Sequence, residues 1–198
     1  MSYLERVLDD GSDRDRWLAA RRPVIGASDA AKLSKLESVP LYLAAKLSDG
    51  GFHGNEYTEA GHRWEPMMLA WAGIPENKAL IHSPLERGFA ATPDGIGNTL
   101  AECKAKTGKV IFGPSLGELR QASWQLATIP EVDELEWIWV ELIDGDIRSG
   151  CNGEPKSLTI RRSDNKVNDL LKKILPIATD LLARLTAALA FEREMNAA

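Results

Sequence analysis

The chain has 198 residues, enough to bury a sizeable core as one domain, and its 44% hydrophobic and 27% charged content is that of a globular protein, not a disordered one. A net charge of -5 argues against a general DNA-coating protein, whose affinity rests on phosphate neutralisation, but leaves room for an enzyme with a local basic rim. Cys103 and Cys151 are far apart and form no CxxC pair, which argues against a cysteine-built zinc or iron–sulfur centre; with no apolar signal core in "MSYLERVLDDGSD" and no apolar run of bilayer length, a reducing cytoplasmic setting is expected.

"DRDRWLAARR" predicts a short helix ending before Pro23. "GASDAAKLSKL" predicts a loop feeding a second helix, with Ser28 or Asp29 as its cap, and "PLYLAAKL" a third. "YTEAGHRWEPMMLAWAG" is a longer helix, with Thr58 as a candidate cap, closing on Gly73 and Pro75. The period then changes. "ALIHS", "GFAAT", "TLAECKAK", "LEWIWVELI" and "SLTIRR" read as strands, with "SLGELRQASWQLATI" crossing between them as a helix. From Asp164 to Glu194 the pattern is helical, and Pro176 is expected to kink or divide it. This order predicts an α/β fold, a sheet covered by helices, in a single domain over 1–198 with a C-terminal helical segment from about 164.

"ATPDGIGNTLAECKAK" threads charges through a small, apolar, glycine-punctuated stretch. Read as a hairpin turning at "DGIGN", it places Asp94 where the first strand meets the turn. Glu102 and Lys104 are two apart on the second strand and face one side. Neighbouring strands lie about 5 Å apart, so Asp94 and Glu102 converge, and two converging carboxylates repel unless a cation joins them. Oxygen-only ligation with waters retained suits Mg²⁺. Lys104 beside it would hold or activate an attacking water, or meet charge building on a phosphoryl oxygen. That is a site for phosphodiester hydrolysis; the bland alternative is a cross-strand ion pair in a hairpin. About one ExK triplet arises by chance in a chain of this length, and this one has three. Glu76-Asn77-Lys78 falls in a polar loop after Pro75, and Glu154-Pro155-Lys156 reads as a turn, so Glu102-Cys103-Lys104 is the one in a buried strand.

Flanking residues add to the reading. Glu65 lies among Trp64, Met68, Leu69 and Trp71, where a carboxylate needs a partner unless it faces solvent. Gln121 and Gln125 are four apart on one helix face, which reads as a solvated face or a cap to a neighbouring loop, or places Gln121 against the site or a phosphate. Ser28 stands at a helix start, an anion site or a plain cap, and Arg21 is a fork for phosphate or a solvated helix end.

The order "RRPVIGASDAAKL", "PLYLAAK", "GHRWEP", "ATPDGI", "ECKAK" and "RQASWQLA" resembles the YqaJ-like viral recombinase family, the phage lambda exonuclease family of the PD-(D/E)xK nucleases, over roughly residues 14–142. The resemblance implies a restriction-endonuclease-like core, a central mixed β-sheet flanked by helices. It implies a Mg²⁺-dependent 5′-to-3′ exonuclease, with Mn²⁺ able to substitute, that acts on double-stranded DNA ends and leaves 3′ overhangs for recombination. Asp94 and Glu102 look like metal ligands with the Cys103 carbonyl, Lys104 like the catalytic lysine, and Glu65 like the helix carboxylate supporting the metal. Gln121 looks like the motif glutamine, with Ser123 where the family often has a second. Trp17, Arg21, Ser28 and Thr92 match positions that meet the DNA end and its 5′ phosphate. A homotrimeric ring, to whose inner face Lys106 and Lys109 would contribute, a single-strand annealing protein as partner, a bacterial host cytoplasm and no membrane association are also implied. Rival readings are a structure-selective or nicking endonuclease with the same site, and a non-catalytic DNA-binding or assembly module.

Overall fold

The computed structural model describes residues 2–48, 56–148 and 153–197, without the side chains of 56–62. His53 and Cys151 lie outside the described residues, as do the side chains of Thr58 and His62.

The N-terminal half is built of short capped helices. Asp13 caps α1 (Arg14–Arg21) by accepting the Arg16 N–H at 2.8 Å. The single turn α2 (Ala27–Ala30) is capped at Gly26, not at Ser28 or Asp29. Asp29 occupies the third helical position and its carboxylate reaches back to the Gly26 N–H at 2.8 Å, which leaves the Ser28 hydroxyl for other partners. α3 (Val39–Leu47) follows, then α4 (Glu56–Ala72), which stops at Gly73 with φ +67, a left-handed terminus that glycine adopts without a steric penalty.

The strands form two sheets rather than one. β1 (Val7–Asp9), β2 (Leu80–His82) and β3 (Ala90–Ala91) make an antiparallel sheet in that order. β4 (Gly95–Ile96), β5 (Leu100–Thr107), β6 (Glu134–Ile143), β7 (Asp146–Ile147) and β8 (Lys156–Arg161) make a mixed sheet. In it β4 is antiparallel to β5, and β5 is parallel to β6 from Leu100 opposite Leu135 to Thr107 opposite Leu142. β7 and β8 both pair antiparallel with β6. The hairpin therefore starts with β4 and turns over Gly97–Thr99, while "GFAAT" contributes β3 to the other sheet. Pro93 separates the two, since it has no N–H to continue a ladder.

Parallel β5 and β6 need a crossover, and α5 (Leu116–Thr128) supplies it. Alternation along β5 then divides the molecule. Ala101 and Cys103 face α4, packing with Met68, Leu69, Ile138 and Val140. Leu100 lies in the opposite layer with Leu119, Ala122 and Leu126 of α5 and Trp137 of β6. Both ends of α5 are tied down. Ser115 and Glu118 form a capping box at its start, with bonds of 3.3 and 2.8 Å. At its end buried Arg6 donates to the Thr128 carbonyl at 3.0 Å, and Arg162 to the Ile129 carbonyl at 3.1 Å, two cations at the negative end of a helix.

α6 (Asn165–Ala197) runs unbroken through Pro176. Pro176 and Lys172, whose carbonyl loses its intrahelical donor, are both exposed, so water replaces the missing bond while Ile174, Ile177 and Leu181 hold the other face in the core. By length and composition α6 is apolar enough to cross a membrane, unlike the sequence reading; a third of that window, 33%, is buried inside the protein.

Gly95, next to Asp94, is where α4 and the hairpin meet most closely. An added Cβ would lie 2.8 Å from Leu69 Cδ2, 2.9 Å from Ile74 Cγ2 and 3.0 Å from the Pro75 carbonyl oxygen. Gly95→Ala is expected to destabilise the chain by about 1–3 kcal/mol. A thermal denaturation midpoint equal to that of the unaltered chain would refute this packing.

Candidate active site

The site forms where β5 loses its partner. β4 is two residues long, and its ladder ends with the Asp94 N–H on the Ala101 carbonyl at 3.0 Å. The next edge donor, the Cys103 N–H, has no strand to meet and is taken by the Asp94 carboxylate at 2.6 Å. The N–H and C=O of one strand residue point to the same edge, so the Cys103 carbonyl opens on this side too. Asn77 braces the segment from behind: its N–H meets the Asp94 carbonyl at 2.8 Å and its side-chain amide the Pro93 carbonyl at 2.9 Å.

Glu102, Lys104 and Lys106 project from the other side of β5 towards α5, whose Glu118, Gln121 and Gln125 share a face. Glu102 is 2% exposed. Lys104 and the Gln121 amide both donate to its Oε1, and the Gln125 amide donates to Oε2. Three donors satisfy the buried carboxylate and fix its orientation. Lys106 pairs with Glu118 and lies 5.8 Å from the centre of the Trp137 ring, so its charge is engaged within the fold while Lys109 remains exposed.

The electrostatics join the hairpin to α4. Burial pushes the Asp94 carboxyl well above its ordinary range, and the Glu102 and Glu65 carboxylates push it further, against Lys104 and the Cys103 N–H. Burial works to lower the Lys104 ammonium, but Glu102 and Asp94 outweigh it and hold the pKa above the usual lysine value. Burial and the same carboxylates raise the Cys103 thiol, which keeps it protonated and unreactive. Asp94 thus feels both Glu102 and Glu65, with Lys104 as the opposing cation.

A second cluster forms from α1, α2 and α3. The Arg21 guanidinium lies 5.3 Å from the centre of the Trp17 ring and donates to the Ser28 hydroxyl. Asp29 accepts Lys46 Nζ at 2.7 Å. Burial lowers the Lys46 pKa, Asp29 opposes this, and Arg21 and Lys32 add to the lowering, so three cations are gathered around one carboxylate. α5 ties this cluster to the first: Arg120 donates to the Ala31 carbonyl at 3.4 Å and its neighbour Gln121 to Glu102. Thr92, two residues before Asp94, has a buried hydroxyl with no hydrogen-bond partner among the described residues.

No protein-family model matches the sequence, and no curated protein matches it. Solved structures do. An alkaline exonuclease from Laribacter hongkongensis is similar over 92% of this chain and 98% of its own, with a TM-score of 0.66 and 21% identity. The same exonuclease in complex with dAMP gives 0.65 and 20% over the same shares. A phage-related exonuclease from Haemophilus somnus 129PT gives 0.58 and 15%, over 94% of this chain and 93% of its own. The chain shares the fold of these exonucleases. That fold is the restriction-endonuclease-like one, a mixed central sheet flanked by helices.

Placed on this exonuclease fold, the expected residues other than Thr92 fall into two groups. Asp94, Glu102, Cys103, Lys104 and Gln121 lie together, with Glu65 in electrostatic reach. Trp17, Arg21 and Ser28 form the second group. Gln125 and Asn77 are additions. Position 123, where a second glutamine stands in the resembled family, faces away: the buried Ser123 hydroxyl donates to the Leu119 carbonyl at 2.7 Å. A spacing of four returns a helical side chain to the same face, so Gln125 reaches Glu102. The spacing was visible in sequence; which way that face turned was not. Asn77 had no local signal.

Proposed function

We propose that this chain is a divalent-metal-dependent exonuclease that digests one strand of duplex DNA from its 5′ end and leaves a 3′ single-stranded overhang for phage-type recombination. The observation that carries the reading is the gathering of Asp94, Glu102 and Lys104 with the α5 glutamines, with the α4 carboxylate Glu65 acting on Asp94. The exonuclease fold supports it.

The donor set suits a hard cation. Glu65, Asp94 and Glu102 outnumber the ammonium of Lys104, and the buried Asp94 carboxyl carries the excess. Among the described residues no group of three or more His, Cys, Asp or Glu side chains is placed to hold a metal ion by itself. Mg²⁺ does not need one, since it keeps several waters and takes one or two carboxylates. Asp94, Glu102 and the Cys103 carbonyl would hold it, with Glu65 on its waters, and Mn²⁺ would substitute. When bound it would supply Lewis-acid stabilisation of phosphoryl charge and a more acidic water. Lys104, fixed by Glu102, presents an ammonium to the phosphoryl oxygens. Gln121 and Gln125 keep Glu102 oriented through the reaction. Arg21, Ser28 and the unpartnered Thr92 hydroxyl receive the terminal phosphate, and Trp17 supports the guanidinium from behind.

Linear duplex labelled at either 5′ end, followed in Mg²⁺ beside a closed circle of the same sequence, tests the proposal. Stepwise loss from the 5′ end with the circle intact is expected. An untouched linear duplex refutes the enzyme, and a cut circle replaces it with an endonuclease. A ring of three copies around DNA and a single-strand annealing partner belong to the same proposal. A stable monomer that digests processively would remove the ring.

A further inference from the structure

Lys46 is a lysine with an 11% exposed side chain beside the Arg21–Ser28 cluster, and the chemistry above gives it no part. Burying an ammonium is costly without a partner, and the partner here is Asp29 Oδ2, which also accepts the Gly26 N–H. The position of that oxygen is informative. A Cβ built on Gly26 would lie 3.5 Å from Asp29 Oδ2 and 3.7 Å from Arg21 Nε, so the carboxylate and the guanidinium lean over the same glycine. They nevertheless form no ion pair among the described residues. Arg21 donates to Ser28 and rests on Trp17, and the remaining donors of its fork have no described protein acceptor. A guanidinium and a carboxylate that line the same glycine are candidates to pair, often through two parallel bonds. Here the carboxylate is engaged by Lys46 and by the Gly26 N–H instead.

We propose that Lys46 is a positioning residue: by occupying Asp29 it keeps the Arg21 fork open for an anionic group of the DNA end. This rests on the reading of the Arg21–Ser28 cluster as the terminal-phosphate site. Without Lys46, Asp29 turns its free lone pairs to Arg21, and the fork is lost to an internal pair. With Asn at position 29 the Gly26 N–H keeps an acceptor, but the side chain no longer competes as an anion. Any ammonium or guanidinium at position 46 that still reaches Asp29 preserves the arrangement. The adjacent Gly26 leaves space for both groups to sit side by side.

The test is binding of duplexes carrying a 5′ phosphate or a 5′ hydroxyl, followed by fluorescence anisotropy without divalent metal, using the full chain. Lys46→Met is expected to lose at least about tenfold of the phosphate-specific affinity, the loss of one charge-assisted bond, with hydroxyl-end binding unchanged. Lys46→Arg is expected to keep most of it. Asp29→Asn in the Lys46→Met background is expected to restore it, and Asp29→Asn alone to leave the preference intact. A structural role for Lys46 also predicts recovery in the double variant, because Asp29→Asn removes the unpaired buried carboxylate; it differs in lowering the hydroxyl-end binding of Lys46→Met together with its phosphate-end binding. The proposal is overturned if Lys46→Met retains the original preference, if Asp29→Asn fails to rescue, or if Asp29→Asn alone abolishes the preference. Should Lys46→Met fail to fold, the single Asp29→Asn and Lys46→Arg chains still decide it. An unaltered chain that prefers the 5′ phosphate yet digests nothing in Mg²⁺ refutes the exonuclease and leaves this inference standing; one without preference refutes the inference itself.

Discussion

Lys104→Met is expected to slow the digestion of linear duplex by about 10³-fold or more, the scale of losing a preorganised charge at a developing oxyanion. The fold should survive. Lys104 is one of three donors on Glu102, and the Gln121 and Gln125 amides remain to satisfy that buried carboxylate. The Lys104 side chain is 26% exposed, so the methionine stem takes its place along β5 without opening a cavity. Initial rates in Mg²⁺, with a denaturation curve for each chain, check both halves. A variant that keeps a tenth of the rate would show that the chemistry lies elsewhere. One that fails to fold would show that the Glu102 charge needs the ammonium for stability.

Asp94→Asn is expected to remove activity on a similar scale and yet to stabilise the metal-free chain. The reason is the direction of the Asp94 pKa. Burial, then Glu102 and Glu65, raise it well above the ordinary 3.8, so the ionised form is disfavoured in the folded protein. A carboxyl raised in this way binds its proton in the native state at pH values where the unfolded chain has released it. The metal-free native state is therefore least favoured by this group above its folded pKa. Stability is recovered as pH falls through that value, fully so below 3.8. Asparagine keeps an acceptor for the Cys103 N–H and removes this dependence. For a chain of this size each 1 kcal/mol moves the midpoint by about 2–4 °C, a shift readable at pH 8 in EDTA. Mg²⁺ should close the gap by stabilising the unaltered chain and not the variant, more at pH 8 than at pH 5. If Asp94→Asn lowers the metal-free midpoint at pH 8, the carboxylate is satisfied within the protein and the case for a cation weakens.

The two variants together separate charge from architecture. Lys104 and Asp94 lie on either side of Cys103, one reaching α5 from the face of β5 and the other bonded along its edge. Loss of activity in both, with stability moving in one, is the behaviour of a site assembled for a cation. A hairpin held by an ordinary ion pair would lose stability in both and have no activity to lose.

Much of this was legible locally. The alternation of "TLAECKAK" fixed which side chains of β5 share a side, and "SLGELRQASWQLATI" read as the crossing helix α5. Such signals depend on neighbours within a turn or a pleat, where chain geometry alone decides direction. Even here Pro93 divided the strands between two sheets, because a missing N–H ends a ladder whatever the hydrophobic pattern says.

What the chain could not declare was partnership over distance. Glu102 meets Gln125 from 23 residues away, Arg6 reaches Thr128 from 122, and Lys46 takes Asp29 from an adjoining helix. Each is a choice among several polar groups of suitable chemistry, made only when packing of the apolar faces has brought one within reach and left the others outside. The amino-acid sequence by itself thus determined most of the strands and the chemical inventory of the site, but not the cap of α2, which fell on Gly26. The tertiary structure decided which carboxylates are buried together and which cations answer them, because burial is a property of the assembled core and of no segment taken alone.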